Sequence, residues 1–189
     1  MLSQRFTQAL IFATELHADQ KRKGSGVPYI AHLLAVSSIV LDYGGNEDEA
    51  IAALLHDAIE DQGGATTREA IRQRFGDDVT AIVDGCTDSD FTPKPPWKER
   101  KLKYIAHIPL VSNSVRLVSA ADKLHNARTI LQDYRIIGEE IWTRFKAGKE
   151  GSLWYYRALV NAFYQCGKNP LIEELDRVVT EIEKIIDNG

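Results

Sequence analysis

The chain has 189 residues, of which 44% are hydrophobic and 26% are charged, and its formal net charge is -4. This length is enough for one well-buried domain and short for two, so we expect a single domain over residues 1–189. A negative net charge argues against a general nucleic-acid-binding protein, which would need a broad basic face. The first residues are polar where a secretory signal would be apolar, and no apolar run could cross a bilayer. We therefore expect a cytoplasmic protein with no nucleic-acid or membrane partner.

The spacing of apolar residues is helical along almost the whole chain, without the sustained alternation that is typical of half-buried strands. This pattern predicts an all-α fold, a helical bundle of about eight to ten helices. The predicted helices cover, in chain order, residues 3–19, 29–43, 47–61, 67–75, 77–87, 97–107, 113–133, 138–148, 152–166 and 170–187. The main motifs lie within residues 20–135, and the helices over 138–187 would complete the fold.

Several residues mark the expected ends of these helices. Pro28 and Pro170 are predicted to begin helices, because a missing N–H costs nothing in the first turn. Asn46 is a good N-cap, and Glu49 three residues later predicts a capping box. Residues 89–96 contain three prolines and are predicted to form a loop, which could serve as a lid.

A metal site is predicted by the segment HDAIED at residues 56–61 together with two distant residues, His32 and Asp122. Either histidine alone would more often be a core residue bonded to backbone. Here two histidines and several acids lie within apolar helical segments, where an unpaired charge would cost several kcal/mol. A bound cation removes that cost, so the combination favours a metal site. The candidate ligands are two nitrogen and two oxygen donors, from His32, His56, Asp57 and Asp122.

This donor set lacks thiolate and would leave positions open for water. It suits Mn²⁺, Mg²⁺ or Fe²⁺ better than a closed structural zinc site, and Zn²⁺ is kept as a further candidate metal. A divalent ion with open positions activates water and polarises phosphoryl oxygens. Glu60 and Asp61 lie one helical turn beyond the ligands, where they could orient the water and move protons.

Three ordered motifs carry a resemblance to a known family. They read RKGSGVPYIAH at residues 22–32, LLHDAIED at 54–61 and ADKLHNART at 121–129. Together they resemble the hydrolase domain of RelA/SpoT proteins, which are HD-domain metal-dependent phosphohydrolases, over about residues 5–135. Since the chain has no room for a synthetase domain, it resembles the small, Mesh1-like alarmone hydrolases.

The resemblance implies hydrolysis of the 3′-pyrophosphate of guanosine tetraphosphate (ppGpp) or pentaphosphate, giving GDP or GTP and pyrophosphate, usually with Mn²⁺. It implies that the four candidate ligands hold the metal and that Glu60 and Asp61 are the catalytic acid pair. It also implies contacts to the base, phosphates and nucleoside of the substrate, made by Arg22, Lys23, Asn126 and Thr129.

Two alternatives stay open. Ala58 and Ile59 stand where the family most often has threonine and valine, so another nucleotide, such as an adenosine alarmone or NADPH, is a second candidate substrate. A non-catalytic, antitoxin-like alarmone-binding protein is the other alternative, which the presence of both acids disfavours. In each case the expected binding partner is a small-molecule nucleotide. The sequence does not determine whether the protein forms a homo-oligomer.

Overall fold

The computed structural model describes residues 2–87 and 95–187, so most of the predicted loop at 89–96 lies outside the described residues. Over the described ranges the chain forms ten α-helices and two 3-10 helices, and its β-structure is limited to one isolated bridge between Lys21 and Pro28. The predicted all-α fold is therefore confirmed. No helix in this part of the chain is both long and apolar enough to span a bilayer.

The α-helices, in chain order, are α1 (Gln4–Leu16), α2 (Ile30–Asp42), α3 (Glu47–Leu55), α4 (Ala58–Asp61), α5 (Ala65–Phe75), α6 (Asp77–Cys86), α7 (Trp97–His107), α8 (Asn113–Ile137), α9 (Gly148–Gln165) and α10 (Pro170–Asp187). The two 3-10 helices are Ile108–Leu110, which follows α7, and Gly138–Arg144, which follows α8.

The described residues form two compact units. The first comprises Met1–Lys94 and Val111–Ala121, and the second comprises Pro95–Leu110 and Asp122–Gly189. The prediction of one domain over residues 1–189 stays a prediction.

Helix α3 lies at the centre of the first unit, where it packs against α1, α2 and α6. Every side chain from residue 50 to residue 55 is fully buried. Its start is fixed by the predicted capping box: Asn46 Oδ1 accepts from the Glu49 N–H at 3.0 Å, and Glu49 Oε2 accepts from the Asn46 N–H at 2.7 Å. Because α3 is surrounded on several sides, the residues that follow it are held in a fixed place.

In the second unit, α9 packs against α7, α10 and both 3-10 helices. Helix α10 turns an apolar stripe inward at spacings of three and four residues, as an amphipathic helix does. The buried residues of this stripe include Leu171, Leu175, Val178, Ile182 and Ile186. Its boundaries agree with the predicted helix 170–187.

Two predicted helices differ in kind from the structure, and several others differ by a few residues at their ends. The helix predicted over 47–61 is interrupted, because α3 ends at Leu55 and α4 begins at Ala58. Asp57 lies between them with φ of -99° and ψ of -2°, a backbone conformation away from the centre of the α-helical range. The segment predicted as a helix over 138–148 forms a 3-10 helix from Gly138 to Arg144. The segment begins and ends at glycines with positive φ, Gly138 and Gly148.

Gly85 allows a close approach of two helices within the first unit. A Cβ added to Gly85 on α6 would lie 2.6 and 2.9 Å from the two methyl groups of Val115 on α8. We expect Gly85→Ala to lower the free energy of unfolding by about 1–2 kcal/mol, because overpacking outweighs the gain in helix propensity. Chemical denaturation measures the change. In a double-mutant cycle with Val115→Ala, the variant that carries both changes should lose less stability than the sum of the two single losses. Strictly additive losses of stability would contradict this explanation.

Candidate active site

Three potential metal ligands come together in the first unit. His32 is in the first turn of α2, His56 directly follows α3, and Asp57 is the next residue. One ligand atom from each residue lies within 4.8 Å of the others. The side chains of His32 and His56 are 1% and 3% exposed, whereas that of Asp57 is 25% exposed, so the carboxylate is the part of the group that solvent reaches.

The hydrogen bonding of His56 defines which ring nitrogen can bind a cation. Its Nδ1 lies 2.8 Å from the carbonyl oxygen of Ala53, which can only accept, so Nδ1 carries a proton. In the neutral ring the lone pair is then on Nε2, which lies 3.0 Å from Asp57 Oδ2. The Nε2 atom of His32 lies 3.7 Å from the same oxygen. This convergence of donor atoms fits a divalent cation, and the backbone bond at Nδ1 is how proteins commonly orient a ligating histidine.

Tyr29 belongs to this group although no motif singled it out for a role. Its hydroxyl donates to Asp57 Oδ2 at 2.5 Å, and its ring meets the His32 ring edge-on with 5.4 Å between centroids. One residue thus orients two candidate ligands. The only available signal in the sequence is the position of Tyr29, between Pro28 and the first turn of α2.

The two candidate catalytic acids lie on α4, the short helix after the interruption. The first turn of this helix is closed by the Asp61 N–H, which donates to the Asp57 carbonyl oxygen at 2.9 Å. Glu60 is half-buried and Asp61 is exposed. The Asp61 carboxylate accepts a hydrogen bond from Gln20 Nε2 at 2.8 Å.

The basic pair Arg22 and Lys23 lies on a tight loop before α2. The Arg22 N–H donates to the Val27 carbonyl oxygen at 2.7 Å, and the Gly26 N–H donates to the Arg22 carbonyl oxygen at 3.1 Å. Gly26 has a φ of +72°, which allows the chain to reverse here. The backbone of the loop is therefore defined, while the Lys23 side chain is exposed.

The remaining predicted site residues lie on the part of α8 that belongs to the second unit. Asp122 is 6% exposed and accepts hydrogen bonds from Asn126 Nδ2 and, at 2.5 Å, from Lys123 Nζ. Burial lowers the pKa of Lys123, but the Asp122 carboxylate together with Tyr104 and Tyr155 outweighs burial and holds that pKa well above its usual value. The Thr129 hydroxyl donates to the His125 carbonyl oxygen at 3.0 Å.

The structure thus places His32, His56 and Asp57 together, with Glu60 and Asp61 on the next helix of the same unit. Asp122 and Asn126 are bound to each other in the second unit. The roles of Asp122, Asn126 and Thr129 stay predictions. Lys123, a partner of Asp122, is a further residue that the motifs did not single out.

Comparison with known proteins places the chain in a family. Residues 9–153 match a model described as an HD domain. The chain is 44% identical over 126 residues to a protein of Xenopus tropicalis named guanosine-3′,5′-bis(diphosphate) 3′-pyrophosphohydrolase MESH1. That match covers 65% of this chain and 68% of the frog protein. A protein of Danio rerio with the same name is 40% identical over 63% of this chain and 65% of its own length.

Longer bacterial proteins match over a small part of their length. A probable guanosine-3′,5′-bis(diphosphate) 3′-pyrophosphohydrolase of Synechocystis is 36% identical over 65% of this chain, which corresponds to 16% of the Synechocystis protein. The similarity is therefore to one segment of that protein.

Solved structures extend the similarity to almost the whole chain. A metazoan orthologue of SpoT that hydrolyses ppGpp and plays a role in starvation responses superposes with a TM-score of 0.79 at 28% identity. This superposition covers 96% of this chain and 97% of the other. A protein of Listeria monocytogenes gives a TM-score of 0.72 at 31% identity, over 81% of this chain and 99% of its own. The chain therefore belongs to the HD-domain family and is a homologue of the MESH1 proteins.

Proposed function

We propose that the protein hydrolyses the 3′-pyrophosphate of ppGpp and of guanosine pentaphosphate, giving GDP or GTP and pyrophosphate. The observation that carries this proposal is the superposition over 96% of the chain with a protein that hydrolyses ppGpp. It is supported by a donor group of the kind that metal-dependent phosphohydrolysis needs, formed by His32, His56 and Asp57.

The first part of the proposed mechanism is a divalent cation, which we assign as Mn²⁺. His32, His56 and Asp57 would hold it, with Asp122 as the predicted fourth ligand. When bound, the ion supplies Lewis acidity, which activates water and polarises a phosphoryl oxygen. A donor set of imidazole and carboxylate without thiolate is compatible with this choice of metal.

The second part is proton handling by Glu60 and Asp61. Their carboxylates lie on α4, directly after the ligand pair, and Asp61 is exposed to water. We assign them to orient the attacking water and accept its proton, while the ribose 3′ oxygen leaves and takes up a proton. General acid–base groups of this kind contribute about 10²–10⁴-fold to a rate.

The third part is substrate binding. The guanidinium of Arg22 can stack on a base and form paired hydrogen bonds to phosphate, and Lys23 supplies a second positive charge on the same loop. We assign the nucleoside contacts to Asn126 and Thr129. A cytoplasmic location and the option of a homo-oligomer stay predictions.

A panel of substrates and metals tests this function. Initial rates are measured for ppGpp, guanosine pentaphosphate, an adenosine alarmone, NADPH and GDP, each with Mn²⁺, Mg²⁺ and Zn²⁺. We expect the two guanosine alarmones with Mn²⁺ to react fastest, and GDP to stay intact because it has no 3′-pyrophosphate. Faster turnover of NADPH or of the adenosine alarmone would assign a different nucleotide. No turnover of any substrate, with metal binding confirmed, would favour the non-catalytic alarmone-binding protein.

A further inference from the structure

Gln20, in the segment that follows α1, connects a buried histidine to a candidate catalytic acid. Its Nε2 donates to Asp61 Oδ2 at 2.8 Å. Its Oε1 lies 2.6 Å from His17 Nδ1 and accepts from Gln62 Nε2 at 2.5 Å. All of these residues belong to the first unit.

The orientation of the Gln20 amide follows from its neighbours. An ionised carboxylate can only accept, so the amide nitrogen must face Asp61 and the amide oxygen must face the other side. This oxygen requires donors, and it receives two, from the ring of His17 and from the amide of Gln62. Reversing the amide would place its oxygen against the carboxylate. The arrangement therefore has one satisfied orientation.

His17 is fixed in place independently of Gln20. It is 2% exposed, and its ring stacks on the Tyr29 ring with 5.3 Å between centroids and 22° between planes. Since the Gln20 oxygen cannot donate, the His17 proton is on Nδ1. Within the described residues, His17 Nε2 has no hydrogen-bond partner, so the ring makes its one polar contact with Gln20.

Gln20 is also connected to the candidate metal group, through Tyr29. The Tyr29 N–H donates to the Gln20 carbonyl oxygen at 2.9 Å, at the base of the loop that carries Arg22. From this pair, the Tyr29 hydroxyl reaches Asp57 and the Gln20 amide reaches Asp61. Asp57, a candidate ligand, and Asp61, a candidate acid, are thus held by Tyr29 and Gln20, which are hydrogen-bonded to each other.

We propose that Gln20 is a positioning residue, held by His17, that fixes the carboxylate of Asp61 for its role in hydrolysis. This proposal rests on the proposed function, in which Asp61 handles a proton. Replacing a residue that orients a metal ligand by a hydrogen bond typically changes activity by about 10–100-fold, and we expect an effect of similar size for a residue that orients a catalytic acid. Gln20 touches Asp61 and not the substrate in this scheme, so its effect is on the rate of the chemical step.

Steady-state kinetics with ppGpp test the role of Gln20. We expect Gln20→Leu and His17→Phe each to lower kcat about 10-fold or more, with KM changed less than about twofold. His17→Phe keeps the stacking on Tyr29 and removes the Nδ1 proton, so it should remain folded. In the Asp61→Asn background, Gln20→Leu should have little further effect on kcat, because the group that it positions has been removed.

A control variant shows whether losing any hydrogen bond between an amide and a carboxylate lowers kcat, or only the one made by Gln20. Gln73 Nε2 donates to Glu69 Oε1 at 2.8 Å on the surface of α5, which is the same contact at the same distance. Gln73→Leu should leave kcat and KM unchanged. The proposal would be overturned if Gln20→Leu lowered kcat by the same factor in the Asp61→Asn background as in the wild-type protein. It would also be overturned if Gln20→Leu left kcat unchanged.

A spectroscopic measurement tests the contact without any activity. The side-chain amide signals of Gln20 are identified by their loss from the ¹⁵N–¹H spectrum of Gln20→Leu. We expect these signals to move in Asp61→Asn and in His17→Phe and to stay in place in Gln73→Leu. Unmoved signals in Asp61→Asn would overturn the positioning role. Failure of the wild-type protein to hydrolyse ppGpp would instead refute the proposed function, and the spectra would still decide whether Gln20 holds Asp61.

Discussion

Replacing Glu60 by glutamine and Asp61 by asparagine in one chain is expected to reduce kcat for ppGpp by at least about 10³-fold. The physical reason is that amides cannot accept the proton that the attacking water must lose, and acid–base groups contribute about 10²–10⁴-fold to a rate. Both side chains keep nearly the same shape. The folded structure and Mn²⁺ binding should therefore be preserved, as checked by circular dichroism and calorimetry.

A second acidic pair supplies the control for this variant. Asp77 and Asp78 are adjacent and exposed at the start of α6, and neither has a proposed role in the site. Asp77→Asn with Asp78→Asn removes the same charge and should leave kcat unchanged. If the Glu60 and Asp61 double variant turned over ppGpp within tenfold of the wild-type rate, the acid pair would have no catalytic role.

Replacing Asp57 by asparagine is expected to weaken Mn²⁺ binding by at least about 100-fold and to abolish hydrolysis at ordinary Mn²⁺ concentrations. The amide oxygen of the new side chain would still accept a hydrogen bond from Tyr29, so the local packing should remain, but the charge that neutralises the cation is lost. In the wild-type protein, Mn²⁺ at 100 times its Kd should raise the free energy of unfolding by about 2.7 kcal/mol. At the same Mn²⁺ concentration, that increase should fall to about 0.4 kcal/mol or less in Asp57→Asn.

Asp84 provides the comparison for the metal experiment. It lies on α6 of the same unit and pairs with Arg68 at 2.6 Å. Asp84→Asn removes one partly exposed carboxylate and should leave Mn²⁺ affinity unchanged. Equal Mn²⁺ affinity in the wild-type protein and Asp57→Asn, measured by calorimetry, would show that the three converging donors do not hold the ion.

Much of the fold was predictable because helix signals are local. The boundaries of α7 and α10 match those predicted, since Pro170 and a regular apolar stripe mark α10 from sequence alone. The capping box at Asn46 was predictable for the same reason. The interruption at residues 56–57 was not, because the apolar pattern continues from Leu54 to Ile59 across it. The turn is associated with tertiary contacts of Asp57, of which that to Tyr29 joins residues 28 positions apart.

In the candidate site, too, residues with a local sequence signal could be predicted, whereas residues defined by contacts between distant positions could not. His32, His56 and Asp57 could be selected because polar groups within apolar segments are conspicuous, and the structure brings them together. Gln20 and His17 could not be selected. A glutamine in the segment after a helix is ordinary in a sequence, and the contact of Gln20 with Asp61 joins residues 41 positions apart.

Product analysis of ppGpp incubated with the wild-type protein and Mn²⁺ tests the central claim most directly. Phosphorus NMR and nucleotide chromatography follow the substrate and both products. The proposed function predicts equal amounts of GDP and pyrophosphate, and no reaction after chelation of the metal. Intact ppGpp, with bound Mn²⁺ confirmed in the same sample, would contradict the proposed function, and so would release of orthophosphate in place of pyrophosphate.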